Sequence, residues 1–217
     1  MTQTTIVAFG DSLTFGYGVS RGVTYTSRLE AFLPQCYPCV NWKIQNSGVN
    51  GHTTREGLER LEKDVLSYHP NIVFILFGSN DSSFLEAQYR TPYEYEKNLC
   101  TMIEQIQKHH NHTGLHHPIA VLITPPPVVD TDFYPFTTTE RVEKYAQIVK
   151  NVAKQYDCPV IDFFKALQEL GQTDSFESFF QQDGIHLSPK GYDHLYDCIF
   201  SALTLLVDKN GILKETF

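Results

Sequence analysis

Six consecutive apolar residues, Ile72-Val73-Phe74-Ile75-Leu76-Phe77, run directly into the turn Gly78-Ser79-Asn80-Asp81. A half-exposed strand alternates apolar and polar residues. An unbroken apolar run of this length is the pattern of a strand covered on both faces, as in the middle of a parallel sheet. Parallel neighbours are joined by crossovers, usually helices, and the rest of the chain supplies that alternation. Further strands are expected at Thr5–Phe9, Trp42–Gln45, Ile119–Ile123 and Pro159–Ile161.

The segments between them carry helix start signals. Thr53 and Glu56 form a capping box ahead of Leu58, Leu61, Val65 and Leu66. Thr91, Pro92 and Glu94 supply a cap, a first-turn proline and a second box, followed by Leu99, Met102, Ile103 and Ile106. Thr137 and Glu140 open a helix that turns Val142, Tyr145, Ile148, Val149 and Val152 inward, and Ser188-Pro189 opens the last one. A first helix is expected near Thr24–Leu33. Buried strands alternating with helices predict a doubly wound, three-layer α/β/α sandwich. Its five-stranded parallel sheet is expected in the flavodoxin-like order 2-1-3-4-5. No internal repeat, linker or shift in composition divides the 217 residues, so one domain over 1–217 is expected.

Four loops then fall at the carboxyl edge of the sheet, where open α/β folds bind ligands. Gly10-Asp11-Ser12-Leu13 follows the first strand, Asn46-Ser47-Gly48 the second and Gly78-Ser79-Asn80-Asp81 the third. Asp183-Gly184-Ile185-His186 follows the fifth strand and precedes the last helix. A serine presented on a glycine turn is a candidate nucleophile once a base, an orienting group and an oxyanion hole accompany it. Taken singly, Ser12 is equally readable as a turn residue, Asn80 as a helix cap and His186 as a solvated loop histidine.

Taken together, these blocks resemble the SGNH hydrolases, the GDSL esterase/lipase family, from Phe9 to the last helix. The resemblance implies Ser12 as nucleophile, His186 as base and then acid, and Asp183 as the carboxylate that fixes the imidazole tautomer. It implies an oxyanion hole made by the backbone N–H groups of Ser12 and Gly48 and the side-chain amide of Asn80. A glycine at 48 admits close backbone approach. Asp81 is a rival partner for His186, ranked below Asp183. Asp11 is expected to pin its loop through backbone hydrogen bonds, and Ser47 and Ser79 are read as structural. The chain carries no Gly-x-Ser-x-Gly elbow, Walker A loop or Rossmann glycine fingerprint.

Bulk properties narrow the partners. Acidic residues outnumber basic ones by 25 to 17, a net charge of −8, which argues against nucleic acid or an anionic membrane surface. No apolar run approaches the ~18 residues of a membrane span. No secretory signal is visible, so a cytoplasmic location is expected. Five scattered cysteines do not make a disulfide framework, and a lone Cys36-x-x-Cys39 is weak evidence for zinc. The histidines at 109, 110, 112, 116 and 117 are read as an exposed helix end and loop rather than a metal site. No metal or cofactor is expected.

The resemblance thus implies hydrolysis of a small-molecule carboxylic ester through an acyl-enzyme, with short to medium acyl chains. Lysophospholipase or acyl-CoA thioesterase activity, carbohydrate deacetylation, and a catalytically silent binding protein on the same scaffold are the alternatives. The segment Thr124-Pro125-Pro126-Pro127 resembles that of the isoamyl acetate-hydrolysing branch, and the aromatics Phe133, Tyr134 and Phe136 beyond it are candidates to line an apolar substrate pocket or close as a lid.

Overall fold

The computed structural model describes residues 2–110, 117–132 and 135–210. Five strands, β1 (Thr2–Gly10), β2 (Val40–Gly48), β3 (Ile72–Leu76), β4 (Ile119–Ile123) and β5 (Val160–Ile161), form one sheet in the order β2-β1-β3-β4-β5. Every pairing is parallel, as the crossovers demand. The register aligns Gly10 with both Gly48 and Leu76, so the first three strands end level with one another.

Successive strand residues point to opposite faces, and the core divides accordingly. Ile6, Ala8, Ile72, Phe74, Leu76, Val121 and Ile123 pack on one side. They meet Leu29 and Leu33 of α2 (Tyr25–Cys36) and Tyr192, Leu195, Ile199 and Leu203 of α7 (Pro189–Asn210). Val7, Phe9, Val73, Ile75, Phe77, Ala120 and Leu122 pack on the other, against α3 (Thr54–Asp64), α4 (Pro92–Lys108) and α5 (Thr139–Gln155). Two cores on one sheet explain why β3 is apolar at every position and buried throughout.

Local signals differ from the sequence reading at several ends. β1 and β2 run to nine residues each, since pairing extends both beyond their apolar centres. The capping box at Thr53 and Glu56 forms in full. At α4 only half of one forms. Thr91 accepts from the Glu94 N–H, while the Glu94 carboxylate turns to Arg55 at 2.7 and 3.0 Å. Thr138 rather than Thr137 caps α5, and the Thr137 hydroxyl is buried without a partner.

Two helices were not expected. A single turn, α1 (Ser12–Phe15), follows β1 at once, and α6 (Phe163–Leu170) follows β5 behind an Asp162 cap. The Asp183–His186 loop therefore comes after α6 and a 3₁₀ turn at Phe176–Phe179, not directly after the fifth strand.

Candidate active site

The serine is set at a helix start. Asp11 caps α1 by accepting the Leu13 N–H at 2.9 Å, as its role in pinning the loop requires. Ser12 is thus the first residue of the helix, where backbone N–H groups have no intrahelical acceptor. Asp11 is fully buried, and one carboxylate oxygen has no partner. Burial, aided by the nearby Asp81 charge, pushes its pKa up to about 7.

The last loop reaches the same point from 174 residues away. His186 Nε2 lies 3.0 Å from Ser12 Oγ, and His186 Nδ1 lies 2.6 Å from Asp183 Oδ2. The other Asp183 oxygen accepts the backbone N–H groups of Ile185 and His186, both at 3.0 Å. Burial works to raise the Asp183 carboxyl. The hydrogen bonds from His186 and the two N–H groups outweigh it and hold the pKa below the usual carboxylate value. An ionised Asp183 can only accept, so Nδ1 carries the proton and Nε2 is free to accept from Ser12.

The acid's turn is braced from outside. Gly184 has φ +74°, and a Cβ there would lie 2.3 Å from the Val129 carbonyl. The Val129 N–H donates to Gly184 O at 2.8 Å, and the Thr131 hydroxyl donates to Asp183 O at 3.2 Å. The proline-stiffened segment after β4 thereby clasps the acid loop. Phe133 and Tyr134 of the proposed pocket lining lie outside the described residues, as do His112 and His116. Phe136 is exposed, and its carbonyl accepts the Phe84 N–H.

Gly48 does not stand where the resemblance put it. Its N–H donates to Asn46 Oδ1 at 2.9 Å, and a Cβ on it would lie 2.2 Å from the Phe15 nitrogen. It faces a separate hollow of about 490 Å³ beside Phe15, Thr24 and Asn46. The glycine that lines the Ser12 cleft is Gly51, three residues on, at φ +74°. Only the chain's path past the end of β2 distinguishes the two glycines. Asn80 does line the cleft, and one of its amide hydrogens is donated to His52 O at 2.9 Å.

Asp81 is not a partner of His186. It is fully buried and takes the Thr54 N–H and hydroxyl at 3.0 and 2.5 Å, at the start of α3. Burial pushes its pKa up to about 7 as well. The Ser47 hydroxyl donates to Asp64 O at 2.7 Å, in keeping with a structural role, whereas Ser79 lines the cleft.

Two contributors escaped the sequence reading. Arg60, on α3, donates to Gly10 O and Ser47 O, both at 2.8 Å, and to His52 Nδ1 at 3.2 Å. It lies between strand ends because α3 crosses beneath them, which no local pattern announces. Tyr17 packs against His186 with ring centroids 4.3 Å apart and the planes tilted by 36°. Its signal was the glycine on either side, Gly16 and Gly18.

Elsewhere, Cys36, the last residue of α2, and Cys39 are exposed free thiols. His69 and His109 pair at 3.2 Å. Among the described residues no group of three or more His, Cys, Asp or Glu side chains is arranged to hold a metal ion. No helix among them is long and apolar enough to cross a membrane.

The fold and these loops define a flavodoxin-like α/β sandwich carrying a serine–histidine–aspartate line at the carboxyl edge of its sheet. The chain belongs to the GDSL-like Lipase/Acylhydrolase family, which matches residues 8–194. It is similar to a lipase/acylhydrolase of Enterococcus faecalis of known structure, with 31% identity, 91% of this chain and 94% of that one covered, and a TM-score of 0.74. It is 28% identical to the human isoamyl acetate-hydrolyzing esterase 1 homolog over 94% of this chain and 81% of the relative. It is 25% identical to an acetylxylan esterase of Geobacillus stearothermophilus over 79% and 76% of the two chains.

Proposed function

We propose that the protein hydrolyses carboxylic esters of short acyl groups through an acyl-enzyme on Ser12. The observation that carries this reading is the continuous line from Ser12 Oγ to His186 at 3.0 Å and on to Asp183 at 2.6 Å. His186 Nε2 takes the Ser12 proton as Oγ bonds to the ester carbonyl carbon. The tetrahedral centre then expels the alcohol oxygen, which receives that proton from Nε2. Water repeats the sequence on the acyl-enzyme and releases the acid. Asp183 keeps Nδ1 protonated and stabilises the imidazolium.

Negative charge on the carbonyl oxygen needs donors already aimed at it. The Ser12 N–H is unpaired by its place at the start of α1. The second Asn80 amide hydrogen and the Gly51 N–H complete the set in place of Gly48, whose N–H is already engaged. This chemistry uses no metal or cofactor.

The cleft at Ser12 measures about 160 Å³, well under the ~300 Å³ at which pockets begin to hold drug-sized ligands. Its size favours an acetyl-sized acyl group over the long chains of a lysophospholipid or fatty acyl thioester. The relatives named for isoamyl acetate and acetylxylan esters support the same choice. A p-nitrophenyl ester series from C2 to C12 tests it. We expect kcat/KM to fall beyond C4 and activity to vanish in Ser12→Ala. Preference for C12, or full activity in Ser12→Ala, contradicts the reading.

A further inference from the structure

We propose that Tyr17 forms the leaving-group wall of the site and selects the alcohol half of the ester. The inference rests on the acyl-enzyme reading above, because only there do the two halves of the substrate part at a defined atom.

Tyr17 is presented by its backbone. Gly16 and Gly18 flank it at φ +94° and +74°, a region side-chain-bearing residues rarely adopt. A Cβ at Gly16 would lie 2.3 Å from Thr24 Cγ2, and one at Gly18 would lie 2.2 Å from Gln181 Oε1. The Gln181 amide donates to Tyr17 O at 2.8 Å, and the Gln181 backbone N–H donates to His186 O at 2.7 Å. One residue thus ties the tyrosine's loop to the histidine's loop. The ring lies on the imidazole at 4.3 Å and an interplanar angle of 36°, yet Tyr17 remains 45% exposed. It lines the same cleft as Ser12, Asn80 and His186.

The chemistry assigns the side. When the tetrahedral centre collapses, the bond to the alcohol oxygen breaks and its electron pair takes the proton from Nε2. That oxygen must come within hydrogen-bond reach of His186. In the acyl-enzyme reading the carbonyl oxygen is held by Ser12 N–H, Gly51 and Asn80, which leaves the alcohol oxygen as the atom facing Nε2. A ring packed against the imidazole and open to solvent therefore meets the first atoms of the alcohol, not the acyl chain. A flat aromatic face there favours alcohols with an apolar or aryl face.

The two steps of the reaction separate this role from simple positioning of His186. Acylation includes the alcohol; deacylation follows its departure. We would compare kcat/KM for phenyl acetate and ethyl acetate, which reports acylation. The deacylation rate constant comes from the steady state after a p-nitrophenyl acetate burst. In Tyr17→Ala we expect kcat/KM to fall about tenfold for phenyl acetate, the scale of losing one apolar contact, and far less for ethyl acetate. Deacylation should change by less than about twofold. Tyr17→Phe keeps the ring and should keep the phenyl-to-ethyl preference. Equal losses for both alcohols together with slowed deacylation overturn the assignment and make Tyr17 a support for His186. A loss that follows acyl length instead also overturns it. Absence of any burst in the wild type, with Ser12→Ala still active, would overturn the acyl-enzyme reading beneath it and is recognisable as such.

Discussion

The guanidinium of Arg60 donates to His52 Nδ1 at 3.2 Å, and this contact links a partly buried cation to the candidate oxyanion hole. It leaves the His52 proton on Nε2, and burial together with the Arg60 charge holds the His52 pKa below its ordinary value. The His52 carbonyl in turn takes the Asn80 amide at 2.9 Å. The same guanidinium holds Gly10 O, two residues before Ser12, and Ser47 O at the end of β2. Its flat face lies over the Phe9 ring at 4.5 Å. One side chain thereby fixes the ends of β1 and β2 and, through His52, the turn after β3.

Arg60→Ala should cost about 3 kcal/mol, because it strands buried carbonyl groups that lose their donor. Arg60→Lys should recover little of it, since a single ammonium cannot serve acceptors that diverge around a planar fork. Urea unfolding measures both. Midpoints equal to that of the wild type would show that the hub is dispensable.

Gly48→Ala should behave as a packing defect. The new methyl would meet the Phe15 backbone at 2.2 Å, against β2 on one side and α1 on the other. A cost of about 1–3 kcal/mol is expected for such overpacking, read as a lowered thermal midpoint. A variant of unchanged stability with a large loss of turnover would return Gly48 to the oxyanion hole.

What the chain announced and what it hid divide along physical lines. β3 declared itself because burial on both faces leaves no room for polar residues, and from it the parallel sheet and its helices follow. Ser12 and Asn80 were readable because each follows closely on the end of a strand that sets its place, whereas Asp183 and His186 come after α6 and a 3₁₀ turn and were readable only from their own spacing and the helix start at Ser188-Pro189 that follows. The choice between Gly48 and Gly51 was not, because it depends on where the chain turns after β2 ends. Arg60 and Tyr17 act across distances of dozens of residues or more, on Gly10 and His186, and no local periodicity records that. α6 was missed for its length, eight residues behind a single Asp162 cap.

Asp183→Asn and Asn80→Ala probe the two halves of the proposed chemistry. Asparagine at 183 cannot enforce a protonated Nδ1, so a loss of about 10⁴ in kcat is expected with the fold intact. Removing one oxyanion donor at Asn80 should cost about 10²–10³ in kcat, or ~2.7–4 kcal/mol, with KM little changed. Steady-state kinetics on p-nitrophenyl acetate checks both. An Asn80→Ala loss confined to KM would place the amide in ground-state binding instead.

The pH dependence of stability should carry the mark of Asp11 and Asp81. Burial raises both carboxyls to about 7, above the ~3.8–3.9 of an unfolded aspartate. Between those values the folded chain binds more protons than the unfolded one. Their contribution is therefore full below the unfolded pKa and is lost as pH rises through about 7. Glu56 and Asp183 act in the opposite sense. At Glu56 burial is outweighed by bonds from Thr53 and Arg90, and the pKa falls to about 2; Asp183 is also lowered. Stability from these two is lost as pH drops below about 4. The thermal midpoint should accordingly be higher near pH 5 than near pH 8, go on rising to about pH 4, and fall below that. Asn caps helices about as well as Asp, so Asp11→Asn keeps the α1 cap and should flatten the limb between pH 5 and 8. Thermal unfolding of wild type and Asp11→Asn across pH 3–8 measures it. A wild-type midpoint that rises from pH 5 to pH 8 would show both carboxylates ionised at little cost.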